Sequence, residues 1–317
     1  MVCMELGDLK TMKAAVYEQY GPPETVQIRD MPKPTPKHNE LLIKVIATTL
    51  HRGDTRMRSL SIPGSMFEKT MGRLFLGIAA PKRKILGMDL AGIVESTGEN
   101  VTQFREGEEV FASTGMRFGA HAEFICLPEN GVIALKPSNM TFEEAAPVPA
   151  SGCASLIYLR DTGKLKDGDR VLINGASGAL GTYGVQIAKR FGAEVTGVCS
   201  TANLPLVESL GADYVIDYTK EDFTQSQNRY DLIFDAIGMS SKTECGRILA
   251  PNGRYLKTTG PEPKHEDLVY LKELIESGKL RTVIDRRYSL DDIVEAHRYV
   301  EGGHKKGNVV INVSQGE

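Results

Sequence analysis

A glycine-rich turn is the sharpest chemical signal in the sequence. The apolar run Val171–Leu172–Ile173–Asn174 leads into Gly175–Ala176–Ser177–Gly178–Ala179–Leu180–Gly181. The spacing is that of G-x-G-x-x-G, with Ala176 at the first glycine place, Gly178 at the second and Gly181 at the third. In such a loop Gly178 lets backbone approach a pyrophosphate, whose charge the N-terminus of the following helix favours. Gly181 lets that helix pack tightly on the strand. The motif alone is weak, and a plain turn without a cofactor is the alternative. Context favours a dinucleotide: a strand precedes, a helix follows, and the next strand ends at Ser200, at the interval the fingerprint requires.

The residues at that second strand end bear on which dinucleotide. Cys199–Ser200–Thr201 stands where sites for NAD place Asp or Glu on the ribose 2′-hydroxyl. A carboxylate there repels a 2′-phosphate, whereas Ser and Thr hydroxyls donate to it. The expected cofactor is therefore NADPH, although Ala202 supplies no following cation and Ser200 is alternatively just a small residue.

Elements to position this loop are legible around it. Apolar, β-branched runs at 170–174, 194–200, 214–218, 230–236 and 254–258 alternate with helical stretches such as 183–191 and 204–210. That order predicts a doubly wound parallel sheet. Before it, residues 12–17, 41–47, 90–96, 110–112, 121–127 and 132–135 read as short strands broken by turn residues, a β-rich, barrel-like unit. Met31–Glu40, rich in proline and polar residues, reads as a connection. Helices are expected at 266–277 and 290–300, and extended segments at 282–288 and 308–313. The expected division is 1–135 with 282–317 as the β-rich domain and 136–281 as the nucleotide domain, with a ligand cleft between them.

Composition excludes other classes. A chain of 317 residues exceeds one ordinary core, and its net charge of −3 offers no basic face for nucleic acid. Five cysteines, odd in number and without a C-x-x-C pair, read as free thiols of a reducing compartment. The start of the chain has no long apolar core of a secretory signal, and no apolar run is long enough for a membrane span. A cytoplasmic location is the expectation.

Several segments together resemble the zinc-free branch of the medium-chain dehydrogenases/reductases, the quinone oxidoreductase-like proteins and alkenal double-bond reductases. They are MKAAVYEQYGPPE, ILGMDLAGIVESTGENVTQFREGEEVF, PASGCAS, INGASGALG and LGADYVIDY. The resemblance implies an α/β chain with a GroES-like β-rich domain and a Rossmann domain, and transfer of hydride from NADPH to a quinone or α,β-unsaturated carbonyl. The zinc branch's ligand positions look like His51, Met88 and Ser151 here; methionine and an alcohol are not ordinary Zn²⁺ ligands, so no metal site is expected. The cysteine-rich structural lobe is missing too, since no Cys lies between Cys3 and Cys126.

By the same resemblance Ala176, Ser177, Gly178, Ala179, Leu180 and Gly181 hold the pyrophosphate, and Ser200 and Tyr218 stand on the 2′-phosphate side. Tyr218 is alternatively an ordinary strand-end tyrosine. Ala236, Ile237 and Gly238, with Thr258, Thr259 and Gly260, lie along the path to the nicotinamide, and Asn308, after Gly307, closes over that end. Where relatives carry Asn in N-x-x-D this chain has His51–Arg52–Gly53–Asp54. His51 is the catalytic candidate, as a hydrogen-bond or proton donor to a substrate oxygen, or else a structurally satisfied histidine. A tyrosine of some relatives is replaced by Arg56.

Two further departures concern surroundings. Relatives continue beyond the fifth strand into a sixth, often at a dimer edge, whereas Gly260 here is followed almost at once by the helix at Glu266. Either the sheet edge is trimmed or a segment is omitted, and a family-type homodimer is correspondingly in question. The insert Ser59–Lys84 combines apolar and basic residues and reads as an active-site lid or a membrane-surface element. Reduction of an enoyl thioester or an alcohol-type reaction, and a non-enzymatic NADPH-binding regulatory or structural role, are the competing functions.

Overall fold

The computed structural model describes residues 10–61, 66–258 and 262–314. The chain divides into two units, Met1–Lys136 with Arg286–His304 and Val309–Glu317, and Pro137–Asp285 with Lys305–Asn308.

In the first unit, β1 (Thr11–Tyr17) and β2 (Val26–Pro32) form an antiparallel pair. β2 takes in Met31 and Pro32, the start of the expected connection. Its Val26-Gln27-Ile28 alternation continues the ladder, and Pro32 is tolerated because it ends the strand. β3 (Glu40–Thr49) is followed by the helices α1 (Arg52–Arg58) and α2 (Met66–Leu76). Then come β4 (Asp89–Thr97), β5 (Glu109–Ser113), β6 (Phe124–Pro128) and β7 (Val132–Leu135). Leu41, Ile43 and Val45 alternate along β3 and join Leu90, Val94, Val110 and Ile133 in one core, the period-2 burial of a strand with one apolar face.

The second unit opens with α3 (Phe142–Ala145), then α4 (Cys153–Leu156) between π-helical turns at Val148–Gly152 and Ile157–Thr162. β8 (Arg170–Asn174), α5 (Ala179–Arg190), β9 (Glu194–Cys199), α6 (Leu204–Ser209), β10 (Tyr214–Asp217) and β11 (Tyr230–Asp235) follow. α7 (Lys242–Cys245), β12 (Leu249–Lys257) and α8 (His265–Glu276) complete the series. The five strands are parallel in the order β10-β9-β8-β11-β12. The order reverses at β8, the position where doubly wound sheets bind ligands beyond their strand ends. β12 starts five residues before the expected strand. Its Pro251-Asn252-Gly253 interruption is absorbed by a register shift against β11, with Asn252 at φ +66°.

β13 (Ile284–Ser289), α9 (Ile293–Glu301) and β14 (Asn308–Asn312) end the chain. They complete a seven-stranded sheet in which β14, β6 and β4 all pair with β3. α9 buries Ile293, Ala296 and Val300 in the first unit's second core, spacings that lie on one helical face.

Candidate functional site

The glycine loop lies between β8 and α5, in the second unit. Gly175 has φ +79°, and a Cβ there would stand 2.5 Å from Ile237 Cγ2. The tight left-handed turn therefore falls on Gly175, one residue before Ala176, which stands at the motif's first glycine place. Ala176 is fully buried, donates its amide to Val198 O at 3.0 Å and packs its methyl toward Gly197, so an alanine there costs the loop nothing. At Gly181 a Cβ would meet Gly175 O at 2.1 Å and Ala176 Cα at 2.6 Å; glycine is obligatory for the helix to lie on the strand.

Gly178 is different. It is the N-cap of α5 with extended backbone, and a Cβ would find only Gly175 O, at 3.3 Å. That one oxygen is its only near neighbour, and the remaining surroundings leave the backbone approachable by a ligand. The first amides of α5 (Ala179, Leu180, Gly181) have no carbonyl a turn earlier in the helix to bond, and carry its positive dipole end.

Ser177 and Ser200 are brought together by a residue sequence reasoning missed. Asn203 donates from Nδ2 to Ser177 Oγ and to Ser200 Oγ, both at 3.1 Å. Its own Oδ1 is buried without a hydrogen-bond partner, an acceptor that a ligand hydroxyl would satisfy. The open Gly178 backbone and this orphaned oxygen together fit a dinucleotide. Asp217 stands at the end of the neighbouring strand β10. The hydroxyls of Thr201 and Thr219 donate to its carboxylate and hold it down to about 2. Tyr218 lies just past β10, its ring largely exposed and its amide bonded to Cys199 O at 3.1 Å.

The end of β11 borders the loop. Ala236 N donates to Asn174 O at 3.0 Å, Ile237 covers Gly175, and Gly238 turns at φ +69° beside Thr258. Buried Asp235 organises these ends. Its Oδ1 accepts from Asn174 Nδ2 and Gly238 N, both at 3.0 Å, and its Oδ2 from Ser240 and Tyr255. Thr259 and Gly260 lie outside the described residues. Asn308 reaches the same unit from far along the chain. Gly307 donates its amide to Ser177 O at 2.7 Å, and Asn308 Oδ1 accepts from Ser151 Oγ at 3.2 Å while Nδ2 donates to Val283 O at 3.1 Å.

The first unit holds the second constellation. His51 caps α1, its amide bonded to Asp54 Oδ2 at 2.8 Å. Its Nε2 lies 2.9 Å from Asp89 Oδ2 and 2.7 Å from Thr49 Oγ1. The Thr49 hydroxyl donates to Asp89 Oδ1, so it can only accept from the imidazole, and the Nε2 proton is thereby assigned. Asp89 and Thr49 are fully buried, whereas the His51 side chain is 15 % exposed.

Among the described residues no group of three or more His, Cys, Asp or Glu is placed to hold a metal. The Met88 thioether and the Ser151 hydroxyl, which is spent on Asn308, do not fit an ordinary zinc donor set. Burial pushes the Cys126 and Cys199 thiols up to about 11, which removes them as thiolate nucleophiles at neutral pH. No helix among the described residues is long and apolar enough to cross a membrane.

Comparison with known proteins places the chain. Residues 37–137 match the family model described as alcohol dehydrogenase GroES-like domain, and 210–268 and 256–311 match that described as zinc-binding dehydrogenase. The chain is 32 % identical to 2-methylene-furan-3-one reductase of Solanum lycopersicum, covering 95 % of this chain and 79 % of that protein. It is also 32 % identical to the chloroplastic NADPH-dependent alkenal/one oxidoreductase of Arabidopsis thaliana, covering 95 % of this chain and 80 % of that one. The quinone oxidoreductase structure from Coxiella burnetii superposes with a TM-score of 0.85 at 29 % identity, over 96 % of this chain and all of that one. The chain belongs to the medium-chain dehydrogenase/reductase superfamily, with a GroES-like sheet domain and a Rossmann domain, and is an oxidoreductase.

Proposed function

We propose that the protein is an NADPH-dependent, metal-independent reductase of quinones or α,β-unsaturated carbonyl compounds. The observation that carries this reading is the near full-length match to the alkenal/one oxidoreductase, in a chain whose glycine loop has the geometry of a pyrophosphate cradle. When bound, the nicotinamide supplies the hydride.

The amides of residues 179–181 hold the pyrophosphate, with Gly178 giving it room and Ala176 and Ser177 shaping the turn. Asn203 Oδ1 accepts from a ribose hydroxyl, and Ser200 with Tyr218 faces the 2′-phosphate side. Residues 236–238, Thr258 to Gly260 and Asn308 shape the path to the nicotinamide end. In the first unit, His51 in its imidazolium form, with Nε2–H held by Asp89 and Thr49, supplies from its other nitrogen the hydrogen bond or proton that the acceptor's oxygen needs as it gains negative charge. Asp89 and Thr49 keep its ring in one orientation. The donor types at Met88 and Ser151 support a mechanism without zinc.

The test is NADPH and NADH oxidation, followed in the nicotinamide absorption band, against a panel of quinones, 2-alkenals and simple aldehydes. Turnover of quinones or alkenals with NADPH preferred is the expected result. Binding of NADPH without turnover of any acceptor would favour a regulatory role, and failure to bind either nucleotide would remove the reading altogether.

A further inference from the structure

α2 is an amphipathic helix turned outside in. Met71, Leu74, Phe75 and, just past its end, Ile78 recur at spacings that place them on one helical face, and every one of them is exposed, Ile78 by 68 %. Met66, at the start of the helix, is 80 % exposed. Among the described residues, the inward side is held by Leu76, which is buried, and by Gly77 O, which accepts the Tyr20 hydroxyl at 2.9 Å. Gly77 itself turns at φ +121°, and a Cβ would stand 2.0 Å from Ala80 O, so the turn that ends the helix is set by backbone geometry. Lys82 closes it, its Nζ on Leu74 O and its amide on Leu76 O, both at 2.8 Å.

The charge around this stripe is one-sided. In the sequence from Met66 to Lys84 there are five basic residues (Lys69, Arg73, Lys82, Arg83 and Lys84) and one acidic residue, Glu68, in a chain whose net charge is −3. Lys84 is paired with Glu18 at 2.8 Å, and the excess of cations remains. A contiguous apolar patch on a surface marks an interaction site, and basic residues beside it select the partner. A second copy of this chain placed on the patch would bring like charges together. An anionic lipid surface instead accepts the apolar side chains at the acyl boundary and the cations at the headgroups. Eleven residues cannot span a bilayer, so the helix would lie in the plane of the interface.

We propose that α2 and the basic segment after it, Met66–Lys84, form a docking surface for anionic membranes. This stands apart from the reductase reading and does not depend on it. The test is co-sedimentation of the full chain with vesicles of phosphatidylcholine alone and of equimolar phosphatidylcholine and phosphatidylglycerol. Binding to the anionic vesicles should exceed that to the neutral ones by about tenfold or more, and should weaken as salt is raised. The double variant Leu74→Glu/Phe75→Glu should lose it.

The chain contains no tryptophan, so Phe75→Trp supplies a single, conservative reporter. Its emission should shift to the blue with anionic vesicles and not with neutral ones. Absence of binding to anionic vesicles, or binding unaffected by the double variant, overturns the proposal. So does a dimer in solution that the double variant dissociates, which would assign the stripe to a second copy. An effect of the double variant on KM without any vesicle binding would assign it to a lid, and equally overturns the proposal.

Discussion

Asp89 Oδ2 lies 2.9 Å from His51 Nε2 across a sequence separation of 38 residues, and the other oxygen of the same carboxylate takes the Thr49 hydroxyl. One buried acid thus sets both the tautomer and the orientation of the largely buried imidazole. Asp89→Asn preserves the shape but offers one acceptor and a competing donor. If His51 serves the acceptor's oxygen, kcat should fall by about tenfold or more in Asp89→Asn and in His51→Ala, with the Kd for NADPH unchanged. His51→Asn, which still donates a hydrogen bond, should retain more activity than His51→Ala. Steady-state kinetics with saturating NADPH separate these outcomes, and wild-type kcat in His51→Ala would make the histidine purely structural.

Gly178 and Gly181 should respond to the same substitution in different ways. Gly181→Ala drives a methyl into the backbone of residues 175 and 176 and should cost about 1–3 kcal/mol of stability. Gly178→Ala meets a single atom, Gly175 O at 3.3 Å, so its Tm should fall far less than that of Gly181→Ala while its Kd for NADPH rises by about tenfold, or roughly 1.4 kcal/mol. Thermal melts paired with nucleotide titrations check both.

Gly307→Ala should be destabilising and should also weaken the cofactor loop. Its φ of +57° is left-handed, and a Cβ would stand 2.3 Å from Val283 O. The left-handed conformation alone costs about 1–2 kcal/mol for a residue with a side chain. Because its amide holds Ser177 O, NADPH affinity should fall together with Tm, unlike in Gly178→Ala.

Acid should destabilise the first unit through His297. Burial, with His121 and Arg58 nearby, pushes this imidazole down to about 2, and its Nδ1 accepts from Arg58 Nε at 3.4 Å. Unfolded, it titrates near its ordinary 6.5. Its contribution is therefore complete above that pH and is lost progressively as pH falls from there toward 2, at about 1.4 kcal/mol per pH unit. Between pH 8 and pH 5 wild type should lose about 2 kcal/mol more unfolding free energy than His297→Gln, measured by urea titration.

The strand–loop–helix of the candidate cofactor site is legible because all its signals lie within a dozen residues, from Val171 to Gly181. What the spacing does not show is which residue makes the turn: only φ and Cβ clearance assign it to Gly175. Asn203 was invisible because nothing in one loop asparagine announces two serines and an unpaired oxygen around it. Asp89 was read as part of a family segment, since its bond to His51 is a product of β3 and β4 pairing. The insert was read as a loop because its apolar residues had no evident core to face, and α2 indeed turns them away from one.

Lys305–Asn308 is a strip of four residues that belongs with a unit whose other residues ended twenty positions earlier, at Asp285. During synthesis the glycine loop therefore waits, its Ser177 carbonyl unclaimed, while more than a hundred further residues are added. Order of manufacture and order of completion part company here: the second unit, whose parallel sheet is complete at Lys257, receives this contact only after α9 has been made. Excising it as one continuous piece would leave that contact behind.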